Sequence, residues 1–366
     1  MKNFRIVLSV AALALGAAIV SGACGHAAPN GATVAAAAGT NAWVVPQLVV
    51  LDTDIGDDID DAFALALVLR SPEIQLIGIT TAYGDTELRA KLVDRFMAAD
   101  CVDDPVPVVP GAPTPHQNVF TQAAYAKGEK HGGCVAPGNL MERSKEVKNS
   151  ENERKHDDAA GFLLRQIKAH PGQITLIAIG PLFNVQAAIE RDPATFKQLK
   201  RVVLMGGSIH RGYDNILNSN LPAAMRTPSS EWNINRDPAG ARALLASGVP
   251  VFMMPLDSTQ IHLQAPEREK IFSHGSELTD QLTLLYHQWS AGSEGHPDTP
   301  TLFDPVAVAY AIRPDLCPAT PMRLEVDDKG FTRPVDGSPN AQVCLKSDEK
   351  GFLELLLGRI TSDDIH

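Results

Sequence analysis

The chain has 366 residues, of which 44% are hydrophobic and 20% are charged. This balance is ordinary for a globular protein and excludes a disordered, collagen-like or multi-span membrane chain. Lys and Arg number 32 against 43 Asp and Glu, a formal net charge of -11, and aromatic residues make up only 5%. Nucleic acid is therefore not an expected partner, because it requires a basic surface or a set of stacking aromatic side chains.

The N-terminal residues have the pattern of an export signal. A cationic start at 1–5 precedes an apolar run at 6–20 and small residues at 21–23, the three-part layout of a secretory signal. The apolar run is short for a membrane-spanning helix. We therefore expect an exported protein, periplasmic or extracellular. Cys24 follows directly, which leaves two alternatives: simple cleavage, or a lipid on Cys24 that anchors the protein to a membrane.

The rest of the chain is expected to form one domain. We predict a signal peptide over 1–23, a small-residue linker over 24–45 and a single domain over 46–366. Beyond Cys24 the chain has four cysteines, an even number that permits two disulfides in an oxidising compartment. The simplest pairing joins sequence neighbours, Cys101 with Cys134 and Cys317 with Cys344; four free thiols are the alternative.

Strand and helix patterns alternate along this domain. Short apolar runs bounded by Gly or Pro predict strands at 47–51, 74–80, 106–109, 174–179, 201–205 and 249–254. Helical patterns cover 62–69, 86–99, 159–169, 185–191, 238–246 and 306–312. Such alternation predicts an α/β fold, an open and mainly parallel twisted sheet with helices on both faces. Two long polar stretches, 111–157 and 210–230, are typical of lids, binding loops or disorder.

Six aspartates crowd residues 52–61, between the first predicted strand and the first predicted helix. Two carboxylates about 4 Å apart repel by roughly 4 kcal/mol at an effective dielectric near 20. A rigid cluster therefore needs raised pKa values or a bound cation, and an all-oxygen ligand set favours calcium or magnesium. We favour calcium, which tolerates irregular geometry. A solvated acidic turn is the alternative, but it does not explain why the acids lie between two apolar segments.

The aspartate cluster belongs to a longer series of motifs. Asp-x-Asp-x-Gly at 52–56, followed by Asp-Asp-Ala-x-Ala at 60–64, resembles the opening of the inosine-uridine-preferring nucleoside hydrolase family. Further motifs match in order at 77–84, 179–184, 204–207, 231–238 and 304–308. The resemblance covers about residues 47–345. It implies calcium-dependent hydrolysis of the N-glycosidic bond of ribonucleosides to ribose and free base, and a homo-oligomer of two or four copies.

The resemblance also implies roles for individual residues. The calcium ligands would be Asp52, Asp54, Asp61, Asp304 and the carbonyl of Ile179. Asp54 would in addition be the general base that activates the metal-bound water. Substrate contacts would come from Asp60, Asp85, Met205, Glu231 and Asn233. Apart from the resemblance, Trp232 beside Glu231 has two alternatives: it stacks on the base as a further substrate contact, or it fills the hydrophobic layer under the loop. Apart from the resemblance, the alternative for Asp304 is an N-cap of the helix over 306–312, a role compatible with metal binding. Anionic surroundings suit a ribosyl transition state with oxocarbenium character.

The sequence departs from the common family pattern at three points. Two extra residues precede Asp60, so Asp57 and Asp58 receive no role. Asp85 stands where Asn is usual, and Phe303 replaces a His that protonates the leaving base in many members. Phe cannot donate a proton, so another group must assist the base; the candidates are Tyr213, Tyr286, His287 and His296. We favour Tyr213, which lies in a Gly-rich loop, whereas the helical pattern around His287 favours an ordinary surface or packing role.

Phe303 also motivates a second hypothesis, an exported nucleoside- or ribose-binding protein with a metal pocket and little catalysis. A third is an esterase or phosphatase that uses the same acidic site. The sequence does not indicate a preference for purine or pyrimidine bases.

Overall fold

The computed structural model describes residues 45–99, 106–116, 120–128, 158–213, 227–293, 295 and 298–362. All of them belong to one compact unit, Val44–His366. The predicted signal peptide, Cys24, Cys101, Cys134 and His296 lie outside the described residues. Among the described helices, none is both long and apolar enough to cross a membrane.

Nine strands form one sheet. They are β1 (Gln47–Thr53), β2 (Ile74–Thr81), β3 (Val108–Pro110), β4 (Thr175–Ala178), β5 (Arg201–Met205), β6 (Val251–Met254), β7 (Ala319–Val326), β8 (Thr332–Val335) and β9 (Ala341–Cys344). Their order is β3-β2-β1-β4-β5-β6-β9-β7-β8. The seven strands from β3 to β9 in this order pair in parallel, and β7 runs antiparallel to both β9 and β8.

Thirteen α-helices are described. They are α1 (Asp60–Leu69), α2 (Thr86–Ala99), α3 (Ala123–Ala126), α4 (Ala159–Ala169), α5 (Phe183–Arg191), α6 (Pro193–Phe196), α7 (Trp232–Arg236), α8 (Pro238–Ala246), α9 (Leu256–Thr259), α10 (Ala265–Phe272), α11 (Glu277–Gly292), α12 (Phe303–Ile312) and α13 (Glu349–Ile360). The predicted fold class, a mainly parallel open sheet covered by helices, is confirmed.

Both faces of the sheet are buried, as the apolar run of β1 predicts. Val49 and Leu51 point into a core formed with α1, α2, α11, α12 and α13. Val50 points to the other face, into a core formed with α4, α5 and α8. Because successive side chains of a strand alternate between faces, a strand between two helical layers must be apolar at every position.

The strand order changes direction between β1 and β4. From β1 the chain first builds outward through β2 and β3, and then returns to the other side of β1 to continue through β4, β5 and β6. In open parallel sheets the loops after two such strands diverge and leave a crevice at their carboxyl ends. The six aspartates of residues 52–61 start at the carboxyl end of β1, so the fold places them at this crevice.

One of the two simplest cysteine pairings is present. Cys317 and Cys344 form a disulfide between β9 and the turn before β7; both residues are buried. We expect Cys317→Ala/Cys344→Ala to lower the free energy of unfolding by about 2–4 kcal/mol, because the bridge closes a loop with a sequence separation of 27 residues and so restricts the unfolded chain. Denaturant titration of the two proteins measures this difference. Equal midpoints under oxidising conditions would contradict it.

Candidate active site

Three carboxylates from two helices meet beside the end of β1. Asp60 and Asp61 lie in the first turn of α1, and Asp304 lies in the first turn of α12. One oxygen of each lies within 4.8 Å of the others, and all three residues are at most 4% exposed. The backbone N–H of Asp304 donates a hydrogen bond to Asp60 Oδ2 at 3.2 Å. This bond links the first turn of α12 to the first turn of α1.

The predicted cap role of Asp304 is wrong. Helix α12 begins at Phe303, three residues earlier than expected, and its N-cap is Leu302, which makes no side-chain cap hydrogen bond. Asp304 therefore lies inside the helix, and its carboxyl is directed to Asp60 and Asp61. The Asp-Pro pair is compatible with this position, because Pro305 is still within the first turn, where a missing N–H costs no helical hydrogen bond.

Burial and mutual repulsion dominate the electrostatics of this group. Loss of water raises the pKa of Asp60, Asp61 and Asp304 well above 3.8, and the neighbouring carboxylates raise each pKa further. Three buried carboxylates this close ionise together only if a cation compensates them. The donor set consists of oxygen atoms, so it fits a hard divalent cation.

Asp52 lies behind this group, at the end of β1. Its Oδ1 accepts hydrogen bonds from Thr80 Oγ1 at 2.6 Å and from Asn184 Nδ2 at 2.7 Å. Its Oδ2 is buried without a hydrogen-bond partner among the described residues. Burial raises the pKa of Asp52 to about 6, although the two hydrogen bonds lower it. A buried oxygen without a partner is the second observation that fits a cation at this place.

Asp54 faces the same group from the loop after β1. Burial raises the pKa of Asp54 to about 7, whereas the guanidinium of Arg89 and a hydrogen bond from the Trp232 side chain lower it. The guanidinium of Arg236 lies 3.8 Å above the Trp232 ring and fixes the indole. Trp232 is thus hydrogen-bonded to the predicted general base, and it also lines the cavity described below.

Arg89 holds the aspartate loop from below, and the sequence analysis missed it. The side chain is completely buried. Its guanidinium donates to the carbonyls of Asp54 and Ile55 and, at 2.9 Å, to Asp57 Oδ2. A signal was available: Arg89 precedes Leu92, Val93 and Phe96 of α2 at intervals of three, four and seven residues, the spacing of a buried stripe. A charged residue in such a stripe indicates a buried ion pair.

A third set of residues comes from the ends of β4, β5 and the loop before α7. Asn233 Nδ2 donates to the carbonyls of Ile179 at 3.1 Å and Met205 at 3.2 Å. Glu231 caps α7, with its carboxylate accepting from the N–H groups of Asn233 and Ile234. Burial raises the pKa of Glu231, and these hydrogen bonds lower it. The ends of three neighbouring strands therefore contribute to one site.

These groups surround a cavity of about 520 Å³. Its walls include Asp54, Asp60, Asp61, Ile179, Met205, Tyr213, Glu231, Trp232, Asn233 and Asp304 from the predicted set. Asp52 is buried behind the wall. The cavity also has walls that no motif predicted, formed by Asp57, Asp58, Thr121, Trp289, Gly292, Ser293 and Phe303.

The two extra residues of the aspartate loop have defined positions in this wall. Asp57 Oδ2 lies 2.9 Å from the Arg89 guanidinium and 2.8 Å from His116 Nε2. Asp58 is accessible from the cavity, and its Oδ1 accepts the N–H of Ile59 at 2.7 Å. The surrounding protein nevertheless displaces enough water to raise the pKa of Asp58 to about 6, against hydrogen bonds from Ile59 and from the Trp289 side chain that lower it.

Comparison with known proteins now decides the family. Residues 49–354 match the model of the inosine-uridine preferring nucleoside hydrolase family. The chain belongs to this family. It is a nucleoside hydrolase, a glycosidase that acts on N-glycosyl bonds, and this family is metal-dependent, in agreement with the acidic group described above.

Individual relatives of this nucleoside hydrolase differ in the base they act on. A pyrimidine-specific ribonucleoside hydrolase, RihB of Escherichia coli O1:K1, is 31% identical over 286 residues, which are 76% of this chain and 82% of that protein. The structure of a purine-preferring ribonucleoside hydrolase from Gardnerella vaginalis has a TM-score of 0.66 at 25% identity, covering 86% and 98% of the two chains. The plant nucleoside hydrolase PpNRh1 has the same fold, with a TM-score of 0.70 at 23% identity over 87% of this chain and 100% of that chain.

One part of the cavity wall of this nucleoside hydrolase is aromatic. Tyr213 and Phe303 meet edge to face, with ring centroids 6.0 Å apart. The hydroxyl of Tyr213 accepts the N–H of Trp232 at 2.9 Å. Burial raises the pKa of Tyr213 well above 10, and nearby Glu231 raises it further, so the phenol keeps its proton at neutral pH.

Three predicted candidates lie away from the nucleoside hydrolase cavity. Asp85 is exposed, and its carboxylate accepts the N–H of Leu88 at the start of α2. It is not among the described residues that line the cavity, so the structure gives the predicted sugar contact of Asp85 no support. The Tyr286 hydroxyl donates to the carbonyl of Asp298. His287 is exposed on α11, in agreement with the ordinary surface or packing role that its pattern favours.

A larger groove of about 850 Å³ lies at the opposite edge of the sheet. Its walls include residues 248–252, at the amino end of β6, together with Arg242, Arg323 and Glu325. It contains a single carboxylate, and ligands of open parallel sheets bind at the carboxyl edge. The smaller acidic cavity is therefore the candidate active site.

Proposed function

We propose that the protein is a calcium-dependent hydrolase of ribonucleosides, which it converts to ribose and free base with Asp54 as general base. One observation carries this proposal: Asp54 and the three buried carboxylates of Asp60, Asp61 and Asp304 share one cavity with Glu231 and Asn233 at the switch point of the sheet. This arrangement combines a cation site, a base and polar groups for a sugar.

The residues that would hold calcium are Asp52, Asp54, Asp60, Asp61, Asp304 and the carbonyl of Ile179. When bound, the ion supplies the positive charge that lets these carboxylates ionise, and it makes nearby water more acidic. Calcium is favoured over magnesium because these oxygens come from loops and helix ends in an irregular arrangement, which calcium tolerates better.

The sugar is proposed to lie over Met205, with its hydroxyls bound by Asp60, Glu231 and Asn233. Asn233 is already oriented by its two hydrogen bonds to backbone carbonyls, and Glu231 is held by the helix that it caps. Such preorganised groups lose little freedom on binding. They would present the anomeric carbon to Asp54, and the carboxylates around it would stabilise the positive charge that develops as the base departs.

Asp54 is proposed to take the proton of the attacking water. Burial raises the pKa of Asp54 to about 7 in the metal-free site, and a bound cation would lower this pKa because it stabilises the carboxylate that accepts the proton. The departing base has less help. Phe303 cannot donate a proton, and the high pKa of Tyr213 limits its phenol to a hydrogen bond. Activation of the leaving group is therefore expected to be weak for neutral nucleosides.

Trp232 provides a test of how Asp54 is tuned. We expect Trp232→Phe to lower kcat about tenfold with a smaller change in KM, because the ring stays beneath Arg236 but the hydrogen bond that lowers the pKa of Asp54 is lost. The acidic limb of the pH–rate profile should move to higher pH. Trp289→Phe is the matched control, since it removes a hydrogen bond to Asp58 instead; an equal displacement of the limb in both variants would contradict the role of Trp232.

The proposed reaction is tested directly with a panel of ribonucleosides. The purified protein with calcium should release ribose from at least one of uridine, cytidine, inosine, adenosine and guanosine, measured as reducing sugar. The same panel with magnesium in place of calcium tests the choice of ion. No ribose from any nucleoside over hours would contradict the proposed hydrolysis.

Phe303 favours one alternative, a nucleoside- or ribose-binding protein with little catalysis. Calorimetry with uridine and with ribose separates the two functions: heat of binding without release of ribose supports the binding protein. Phe303→His provides a second measurement. A large gain in turnover of neutral nucleosides in that variant would indicate an intact catalytic centre that lacks only an acid.

Export is proposed on two grounds, the N-terminal pattern of residues 1–23 and the buried disulfide Cys317–Cys344, a bond typical of oxidising compartments. Cell fractionation tests the location, and Cys24→Ser tests the lipid, since only a lipidated protein would leave the membrane fraction on this change. Assembly into a dimer or tetramer remains a prediction, tested by light scattering.

A further inference from the structure

The wall of the active-site cavity is strongly anionic. Seven of its residues carry carboxyl groups, and none of its described residues is Lys, Arg or His. One divalent cation, together with Arg89 behind Asp57, offsets three of these negative charges when all are ionised. Two of these carboxyl groups, those of Asp57 and Asp58, belong to residues to which the family resemblance assigns no role. The side chain of Asp58 is open to the cavity.

The same cavity offers aromatic surfaces but no strong acid. Tyr213, Trp289 and Phe303 line it, and aromatic faces attract cations. The carboxylate of Asp58 is fixed at this wall, because its Oδ1 accepts the N–H of Ile59 at 2.7 Å. A neutral base leaves as an anion unless it is protonated, and an anion would be repelled here.

We propose, building on the hydrolase function above, that the preferred substrates are ribosides of permanently cationic heteroaromatic bases, such as N-ribosylpyridinium compounds. When the bond from the anomeric carbon to nitrogen breaks, its electron pair stays on the ring nitrogen, and the base leaves as a neutral molecule. The water oxygen bonds to the anomeric carbon, and its proton passes to Asp54 and then to solvent. No proton donor to the base is needed, which removes the difficulty that Phe303 creates.

Three ribosides separate charge from leaving-group ability. The riboside of pyridine-3-carboxamide is a cation, the riboside of pyridine-3-carboxylic acid is a zwitterion with the same kind of leaving group, and 4-nitrophenyl riboside is neutral and needs no proton. We expect kcat/KM for the cation to exceed that for the zwitterion and for uridine at least tenfold. This comparison uses the unaltered protein with calcium and depends on no variant.

Asp58→Asn then tests whether the negative charge of the cavity wall selects cationic substrates. It should reduce the ratio of kcat/KM between the cation and the nitrophenyl riboside about tenfold, whereas Asp328→Asn, which removes an equal charge from a side chain that is 97% exposed, should leave the ratio in place. Equal kcat/KM for the cation and the zwitterion would overturn the inference, and so would an Asp58→Asn protein with the wild-type ratio between the cation and the nitrophenyl riboside. If uridine is still hydrolysed in that case, the proposed function stands. Failure to hydrolyse any of these ribosides would refute the proposed function as well.

Discussion

Replacement of Asp54 by asparagine is expected to lower kcat for ribonucleosides by about 10²–10⁴-fold, the usual contribution of a general base. Asn keeps the volume of the side chain and can still accept the hydrogen bond from Trp232, so the loop and the fold should survive. The change removes the one cavity carboxylate that we assign to proton removal. Ribose release at saturating substrate measures the effect.

The control for this variant is Asp328→Asn, the same chemical change at an exposed position, which should keep the full rate. Circular dichroism and a melting curve should show that both variants fold. If Asp54→Asn retained more than about a tenth of the wild-type kcat with calcium bound, another group would have to be the base.

Removal of divalent cations should abolish activity reversibly and should make stability fall as pH rises. Burial raises the pKa of Asp52 to about 6 and the pKa of Asp54 to about 7, against 3.8 for an aspartate in the unfolded chain. The pKa values of Asp60, Asp61 and Asp304 shift in the same direction. At pH values between 3.8 and these raised pKa values, the folded protein binds more protons than the unfolded chain. The stabilisation is thus complete below about pH 4 and is lost as pH rises through 6 and 7.

Melting curves of the chelated protein from pH 5 to pH 8 measure this slope. Calcium should remove it, because the ion binds the folded state and compensates the carboxylates; at 100 times its dissociation constant it would add about 2.7 kcal/mol to the free energy of unfolding. Metal-free Asp54→Asn should show a smaller slope, since one buried titrating group is missing. A chelated protein whose melting temperature is independent of pH, or rises with it, would contradict this account of the acidic group.

The sequence predicted the sheet better than the site. Apolar runs such as 47–51 predict strands reliably because a strand between two helical layers is buried on both faces. The limits of helices were less certain: α12 begins three residues early, since Asp304 is stabilised inside the first turn by Asp60 rather than acting as a cap. The antiparallel strands β7 and β8 were not predicted, because they are largely exposed and lack a continuous apolar run.

Motifs predicted many of the cavity residues, but not their contacts. Stacking of Trp232 on a base stays a prediction, whereas no motif predicted the hydrogen bond of its side chain to Asp54 or the guanidinium of Arg236 over its ring. Asp85 follows a matching motif, yet its carboxylate accepts a hydrogen bond from the N–H of Leu88 at the start of α2. Asp58 and Trp289 are 231 positions apart, and no local pattern joins them.

What the amino-acid order determined by itself is the alternation of strands and helices, the acidic segment after the first strand and the chemistry that oxygen ligands permit. These follow from local periodicity and residue type, which act within a few residues. What only the tertiary structure decided is which carboxylates share a cation site, what fixes Asp54, and that the added aspartates face the cavity. These depend on helices α1, α11 and α12 packing together, and contacts between distant segments are set by the whole core rather than by any one segment.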